Sequence, residues 1–401
     1  MTMTQTALAS LMLAHNAGQT LQQEFYTDPE IYQQEMEKIF LKSWLYVGHI
    51  SQVPNRGDYF LFRMDRESVI IVNSGNGEIR GLLNVCRHRG SRICGEDSGN
   101  QKLLVCPYHG WTYELSGALR GAGYTPADFD KKQFSLKQVQ VRVFHGMIFI
   151  NFAADPVPFD EMEKDLDAPL KPYRLAAAKV AHRQNYPLAA NWKLAVENYC
   201  ECYHCKPAHP EYSIAHGRAI PHAEMVEALR PVMERAERCG LTTHSVAKEW
   251  IASGPIGADH AFDRYPLYEG HVTGSRDGKP VAPLLGDIKA YDGGCTDMHV
   301  GPMTFYLAYC DHVVIYRFTP LSVNSCDCEI TWLVRGDAVE GKDYQVEDLT
   351  WLWDVTTIAD KRIIEANAAG VGSRYYEPGP YMPLEDFAQR FIAWYLHALR
   401  M

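Results

Sequence analysis

No apolar run in the 401 residues approaches the ~18–20 needed to span a bilayer, so no membrane-spanning helix is expected. Basic charge is short as well. Against 49 acidic residues stand 39 basic ones, a formal charge of −10, which argues against a nucleic-acid binder. The first Lys or Arg is Lys38, so the N-terminus lacks the charged region of a signal peptide and a cytoplasmic protein is expected. Repeats, low-complexity stretches and charge blocks are missing too, so nothing marks a flexible linker. What the chain has is a hydrophobic content of 46%, ample for a large core, and eleven cysteines, with Cys200, Cys202 and Cys205 close together. An odd count without a secretory signal reads as mostly reduced thiols and metal work, not a disulfide framework.

The pattern of elements changes along the chain. Mixed three- and four-residue apolar spacing predicts a helix over residues 21–44. From Asp58 to Asn151 short strands are punctuated by turns such as Ser74-Gly-Asn-Gly77. Helical segments are expected around 158–174 and 191–206, strands at Thr304–Cys310, His312–Phe318 and Cys328–Val334, and a long helix at about 346–369. The 217–300 region is rich in Gly and Pro with weak periodicity and reads as an irregular lid or binding loop. The fold expected is α+β: a helical segment over 1–44, a small all-β unit over 45–155, and an α+β unit with an antiparallel sheet over 156–401.

Two turns of the β unit carry chemistry. Cys86-Arg-His88 is followed, seventeen intervening residues later, by Cys106-Pro-Tyr-His109. The four ligands could hold a structural zinc, although zinc sites usually pair Cys with Cys and His with His. The alternation suits a [2Fe–2S] cluster in which one iron takes both thiolates and the other both imidazoles. Neutral imidazoles in place of two thiolates raise the reduction potential.

At these residues the chain resembles the Rieske non-haem iron oxygenases, the ring-hydroxylating oxygenase alpha-subunit family. The segments Cys86-Arg-His-Arg-Gly90 and Cys106-Pro-Tyr-His-Gly-Trp111 look like its two cluster loops. The resemblance implies that His88 and His109 bind the outer iron and Cys86 and Cys106 the inner one. Arg87, Arg89 and Arg92 would offset the cluster's negative charge. It also implies a small Rieske domain followed by a helix-grip-like catalytic domain, and it extends from Phe25-Tyr-Thr-Asp-Pro to Phe391-Ile-Ala-Trp-Tyr395.

A second constellation lies in Asn191–Pro210. Asn198, Glu201 and His204 are spaced by three and would share a helix face. His209 falls about 140° further round, so Pro207 and Pro210 must end the helix and let the chain fold it back. A carboxylate would complete the two-His, one-carboxylate face that leaves positions open on Fe(II). The expected core stripe of the 346–369 helix includes Asp360, while its rivals Asp354 and Glu365 fall off that stripe. Asp360-Lys-Arg-Ile-Ile-Glu365 also resembles the family segment that carries the carboxylate, so His204, His209 and Asp360 are assigned to a mononuclear iron.

In the family, subunits form head-to-tail trimers, and a carboxylate three residues before the first His bridges the two metal centres. That position is Glu201 here, where most ring-hydroxylating members have Asp. The resemblance therefore implies a homotrimer in which electrons pass from the cluster through Glu201 to the iron, where O₂ is the co-substrate. Asn198 is a further candidate for a role at this site. No G-x-G-x-x-G fingerprint occurs, so a separate NAD(P)H-dependent flavin/ferredoxin reductase is expected. Glu201 with Cys-Tyr-His204-Cys, Trp353-Asp-Val-Thr-Thr and Tyr376-Glu-Pro-Gly-Pro-Tyr381 looks like the glycine betaine and quaternary amine N-demethylase branch. Such a substrate calls for an aromatic box, for which Phe305, Tyr306 and Tyr309 are conceivable members. Two other readings stay open: the large subunit of an aromatic-ring dioxygenase, and a zinc- or cluster-binding protein of electron transfer or regulation.

Overall fold

A computed structural model describes residues 5–216 and 222–401. The chain divides into two compact units, Tyr46–Pro156 and a larger one made of Met1–Leu45 with Val157–Met401.

The smaller unit is built on a seven-stranded antiparallel sheet. Its order is Leu45–His49, Met147–Asn151, Gln138–Phe144, Glu78–Leu83, Glu67–Gly75, Asp58–Met64, Ser98–Asn100. Val69–Val72 is buried throughout, as expected for a β-branched run deep in a sheet. A second, three-stranded sheet of Leu104–Val105, Thr112–Tyr113 and Leu119–Gly121 carries the loop that begins at Cys106. Between the sheets a core of Ile70, Leu82, Leu104, Tyr113 and Leu136 closes over Cys86 and Cys106.

The larger unit holds another seven-stranded antiparallel sheet, in the order Ala178–Leu188, Ser325–Arg335, Val313–Ser322, Thr304–Ala308, Gly294–Val300, His260–Pro266, Val246–Lys248. Mixed helix with antiparallel sheets is the α+β class expected. Among the described residues no helix is long and apolar enough to cross a membrane.

Three segments differ from the sequence reading. The single helix expected over 21–44 is two, Glu24–Thr27 and Pro29–Lys38, followed by a 3₁₀ turn at Phe40–Lys42. Asp28 is extended, and its carboxylate caps the second helix by accepting from the N–H of Glu30 at 2.7 Å and of Ile31 at 3.3 Å. Pro29 supplies the preset N1 position. The 217–300 segment is also more regular than its composition suggested. It contains the helix His222–Arg238 and the strands Val246–Lys248, His260–Pro266 and Gly294–Val300, while residues 217–221 lie outside the described residues. Pro231 inside that helix and polar positions such as Asp263 and Asp297 within the strands hid the periodicity. The third difference is at 191–206 and belongs to the site.

Candidate metal centres and substrate cavity

The two cluster loops of the smaller unit are built alike. In the first, the Gly90 N–H donates to the Cys86 carbonyl at 2.9 Å; in the second, the Gly110 N–H donates to the Cys106 carbonyl at 3.0 Å. Both glycines have positive φ, +82° and +69°, and an added Cβ would meet nothing within 4 Å at either. The left-handed backbone, not crowding, is the reason for glycine. Cys86 and Cys106 are buried whereas His88 and His109 are exposed, with their Nδ1 atoms 3.1 Å apart. Two imidazoles meeting nitrogen to nitrogen over two buried sulfurs are a donor set that fits a [2Fe–2S] cluster, sulfurs inside and nitrogens outside.

Supporting groups surround these loops. Trp111 stacks on His88 at 4.9 Å, and Tyr113 Oη lies 3.3 Å from Cys86 Sγ while accepting from the Arg87 N–H at 3.0 Å. Asn84, buried, accepts from the N–H groups of Ile93 and Cys94 at 2.8 and 3.0 Å and so pins the far end of the first loop. Of the three arginines, Arg92 is engaged with the Arg66 carbonyl at 2.7 Å, and Arg89 lies over the Tyr108 ring at 5.2 Å.

In the larger unit the site begins with a bolted helix. Trp192–Tyr199 is capped by the Asn191 side chain, which accepts from the Lys193 N–H at 3.1 Å. Lys193 and Glu35 are both fully buried and pair at 2.5 Å, and Glu35 accepts further from Trp192 and Tyr395. One turn on, Glu197 accepts from Tyr26 at 2.8 Å and from Tyr381 at 2.9 Å. The helix then stops at Tyr199, which corrects the continuous 191–206 helix expected. The Glu201 carboxylate folds back to accept from the backbone N–H of Tyr203 and, at 3.1 Å, of His204. Such local side-chain bonds compete with the helical ladder. A short helix Cys205–Ala208 follows, and Pro210 opens another at Pro210–Ala215, with His209 outside helical geometry between them.

That break brings the imidazoles together. The His204 and His209 rings are 5.1 Å apart, and Asp360 of the long helix Val346–Val371 reaches both. Its Oδ1 lies 3.3 Å from His204 Nε2 and 2.9 Å from His209 Nε2. Ligands about 2.1 Å from one ion and at right angles are themselves about 3 Å apart, so the spacing fits a metal. The His209–Asp360 contact is not aligned as a hydrogen bond, which leaves His209 Nε2 and Asp360 Oδ1 buried without a hydrogen-bond partner. Buried orphans of this kind are rare unless an ion or water serves them.

The rival carboxylates are occupied elsewhere. Asp354 accepts from Tyr186 at 2.8 Å, and Glu365 accepts from the Ala189 N–H at 2.9 Å and pairs with Lys361 at 2.5 Å. On the other side of His204, Nδ1 lies 2.5 Å from Glu201 Oε1, while Asn198 Nδ2 lies 3.3 Å from Nε2 on the Asp360 side. Burial works against charge on His204, but the Asp360 and Glu201 carboxylates outweigh it and lift the imidazole to about 9. Burial also opposes charge on Asp360, and His204 and His209 overcome it, holding that carboxyl below the usual range. Two acids around two imidazoles are an environment that favours a cation.

Beside this face lies a cavity of about 290 Å³ between sheet and helices. Its sheet wall is a register row: Asp263 pairs with Asp297, and Asp297 with Leu307, and all three line it. Tyr199, Tyr212, Tyr265, Tyr316, Trp353 and Phe387 supply the aromatic surface. Phe305, Tyr306 and Tyr309, considered from the sequence, are absent from this wall. Phe305 is buried against Tyr199 at 4.1 Å, and Tyr309 hydrogen-bonds His216 at 2.6 Å in the interior. Cys202 and Cys205, which fall in a chain expected to hold mostly reduced thiols, are joined as a disulfide in the cavity wall.

An all-β unit tipped by Cys–His loops, with an α+β unit holding two imidazoles and a carboxylate beside a cavity, defines an iron oxygenase supplied by an iron–sulfur cluster. Comparison with known proteins agrees. Residues 43–140 match the Rieske [2Fe-2S] domain, and residues 175–400 match the ring hydroxylating alpha subunit catalytic domain. The glycine betaine monooxygenase oxygenase subunit of Pseudomonas aeruginosa is 35% identical over 97% of this chain and 91% of its own length. That of Chromohalobacter salexigens is 36% identical over 97% and 88%. Among solved structures, the quaternary ammonium Rieske monooxygenase CntA superposes with a TM-score of 0.71 over 97% of this chain and 96% of its own, at 21% identity.

The chain therefore belongs to the Rieske non-haem iron oxygenases of the ring-hydroxylating alpha-subunit family. It is an O₂-dependent oxidoreductase whose cofactors are a Rieske [2Fe–2S] cluster and a mononuclear iron, and its family works with a separate reductase.

Proposed function

We propose that this protein is the oxygenase component of a monooxygenase that hydroxylates an N-methyl group of a quaternary amine of the glycine betaine type. The carbinolamine formed then releases formaldehyde, so that the overall reaction is N-demethylation. The observation that carries this reading is the cavity wall. Tyr212, Tyr265, Tyr316 and Trp353 line it with the aromatic surface that suits a trimethylammonium group, and the carboxylates of Asp263 and Asp297 stand in the same wall. A neutral arene would gain nothing from carboxylates and would have to desolvate them, which disfavours the aromatic-dioxygenase reading. The relatives above, named as glycine betaine monooxygenases, support the same choice.

Residue roles follow from the geometry. Cys86, His88, Cys106 and His109 would hold the cluster, and His204, His209 and Asp360 the mononuclear iron. When bound, these cofactors supply single electrons and the activation of O₂ for attack on a C–H bond. The chain's own groups position and insulate. Glu201 Oε1, beside Nδ1 of His204, orients the imidazole so that Nε2 faces Asp360, and with a metal bound it would hold the Nδ1 proton and leave Nε2 as the ligating nitrogen. The aromatic wall orients one methyl group toward the His204–His209–Asp360 face and excludes water.

Both Glu201 oxygens are already engaged within its own loop, yet a carboxylate has about four acceptor sites. One of them would take a hydrogen bond from His109 of the partner subunit in a head-to-tail homotrimer, making Glu201 the electron-transfer link. One CntA structure is described as giving insight into inter-subunit electron transfer, which is consistent with such an arrangement.

The test is NADH-dependent formaldehyde release, with a flavin/ferredoxin-type reductase, across betaines, carnitine and simple aromatics. Formaldehyde from a quaternary amine supports the reading. A hydroxylated arene with no formaldehyde from any amine overturns it.

A further inference from the structure

Between the electron-transfer candidate Glu201 and the ligand candidate His209 the chain places Cys202-Tyr-His204-Cys205, a C-x-x-C pair with a proposed iron ligand inside it. The two cysteines have Cα atoms 4.9 Å apart and are joined as a disulfide. Both line the cavity. Cys205 Sγ and one ring nitrogen each of His204 and His209 all lie within 4.8 Å of one another. In a tetrahedral Cys–His–His zinc site these atoms stand about 3.5 Å apart. Closing that gap calls for a rotation of the freed Cys205 side chain.

We propose that Cys202 and Cys205 form a thiol–disulfide gate on metal identity: closed, the centre offers two imidazoles and Asp360 to iron; opened, Cys205 joins them and the centre takes zinc. The proposal rests on the reading of His204, His209 and Asp360 as ligands and adds a fourth donor to it. A disulfide sulfur carries no thiolate, so the closed pair leaves the N,N,O face for Fe(II). A dithiol, oxidised to its own disulfide, gives two electrons and two protons that convert the disulfide to two thiols; a phosphine gives the two electrons and becomes the phosphine oxide, with water supplying the oxygen and both protons. Cys205 then gives its proton to solvent as its sulfur bonds the ion. A soft thiolate beside two imidazoles favours zinc over Fe(II), and zinc has no redox chemistry. Access is available from outside: Cys202 is half-buried and Tyr203 is 55% exposed, although Cys205 is buried.

The experiment uses the full-length iron-loaded protein, as isolated and after treatment with a phosphine reductant that is then removed. Each form is given a small molar excess of Zn²⁺ and stripped of loose metal on a chelating resin. Zinc and iron per chain are measured while the visible absorbance of the cluster is followed. The reduced protein is expected to retain about one zinc per chain in place of one iron, the cluster intact, and the oxidised protein on the order of tenfold less. Cys202→Ser, which keeps the Cys205 thiol but cannot form the disulfide, should retain zinc without reductant, and Cys205→Ser should not retain it in either state. Equal zinc in oxidised and reduced protein, or zinc held by reduced Cys205→Ser as by wild type, overturns the gate. The ligand reading fails separately, if His204→Ala and His209→Ala keep the third iron of the oxidised protein.

Discussion

Asp360 is the residue on which the mononuclear centre turns, because its carboxylate lies against both histidines. Asp360→Ala should lose about one of three irons per chain and all turnover, while the cluster absorbance persists. Iron analysis together with the visible spectrum checks this, and full iron in the variant would move the ligand elsewhere. Glu201→Gln keeps an oxygen for the turn that accepts from Tyr203 and His204 but loses the negative charge beside His204 Nδ1. Both metals should stay, and turnover should fall by on the order of 10- to 100-fold. Wild-type turnover in that variant would remove Glu201 from the electron path. At this scale the sequence was most legible where ligand spacing is rigid, as in the two Cys–His loops. Asn84, Tyr113 and the cavity aromatics were not legible, since supporting residues are brought in by the fold and leave no spacing in the chain.

At the scale of elements, the strands between Thr304 and Arg335 and the Val346–Val371 helix could be read from periodicity, and the strands within 246–300 and the helix ends near the site could not. Periodicity sees Asn198, Glu201 and His204 as one face. It does not see that the Glu201 carboxylate caps the backbone and turns the chain, which is what lets His204 and His209 meet. The preceding helix is instead held by buried charge. Removing one partner of a buried, fully hydrogen-bonded pair leaves an uncompensated charge, at a cost of about 3–5 kcal/mol. Glu35→Ala strands Lys193 in this way and also orphans Trp192 and Tyr395. Thermal or urea unfolding of the intact protein should register that loss. A variant within about 0.5 kcal/mol of wild type would mean that Glu35 does not hold the helix.

For the whole molecule, pH dependence follows from which buried groups resist charge. Burial pushes Glu197, Glu249 and Asp259 up to about 7, against ordinary values of 4.5, 4.5 and 3.8. Across that interval the folded chain keeps protons that the unfolded chain has released, so each acid makes stability fall as pH rises, until about one unit above 7. His299 works the other way. Burial holds it neutral down to about 3 against 6.5, so its contribution rises with pH and is complete once pH exceeds about 6.5. Above about 6.5 His299 adds no further slope, and in the iron-loaded protein, where the metal holds His204, the fall is set by these acids. Between pH 6.5 and 8 the larger unit should lose about 2 kcal/mol in all, several degrees of melting temperature. Glu197 sits between Tyr26 and Tyr381, and Glu197→Gln keeps an acceptor there without an ionisable group. Its melting temperature should therefore fall less steeply over the same interval. A slope identical to wild type would place the pH sensitivity in groups other than the buried acid at the root of the metal-bearing segment.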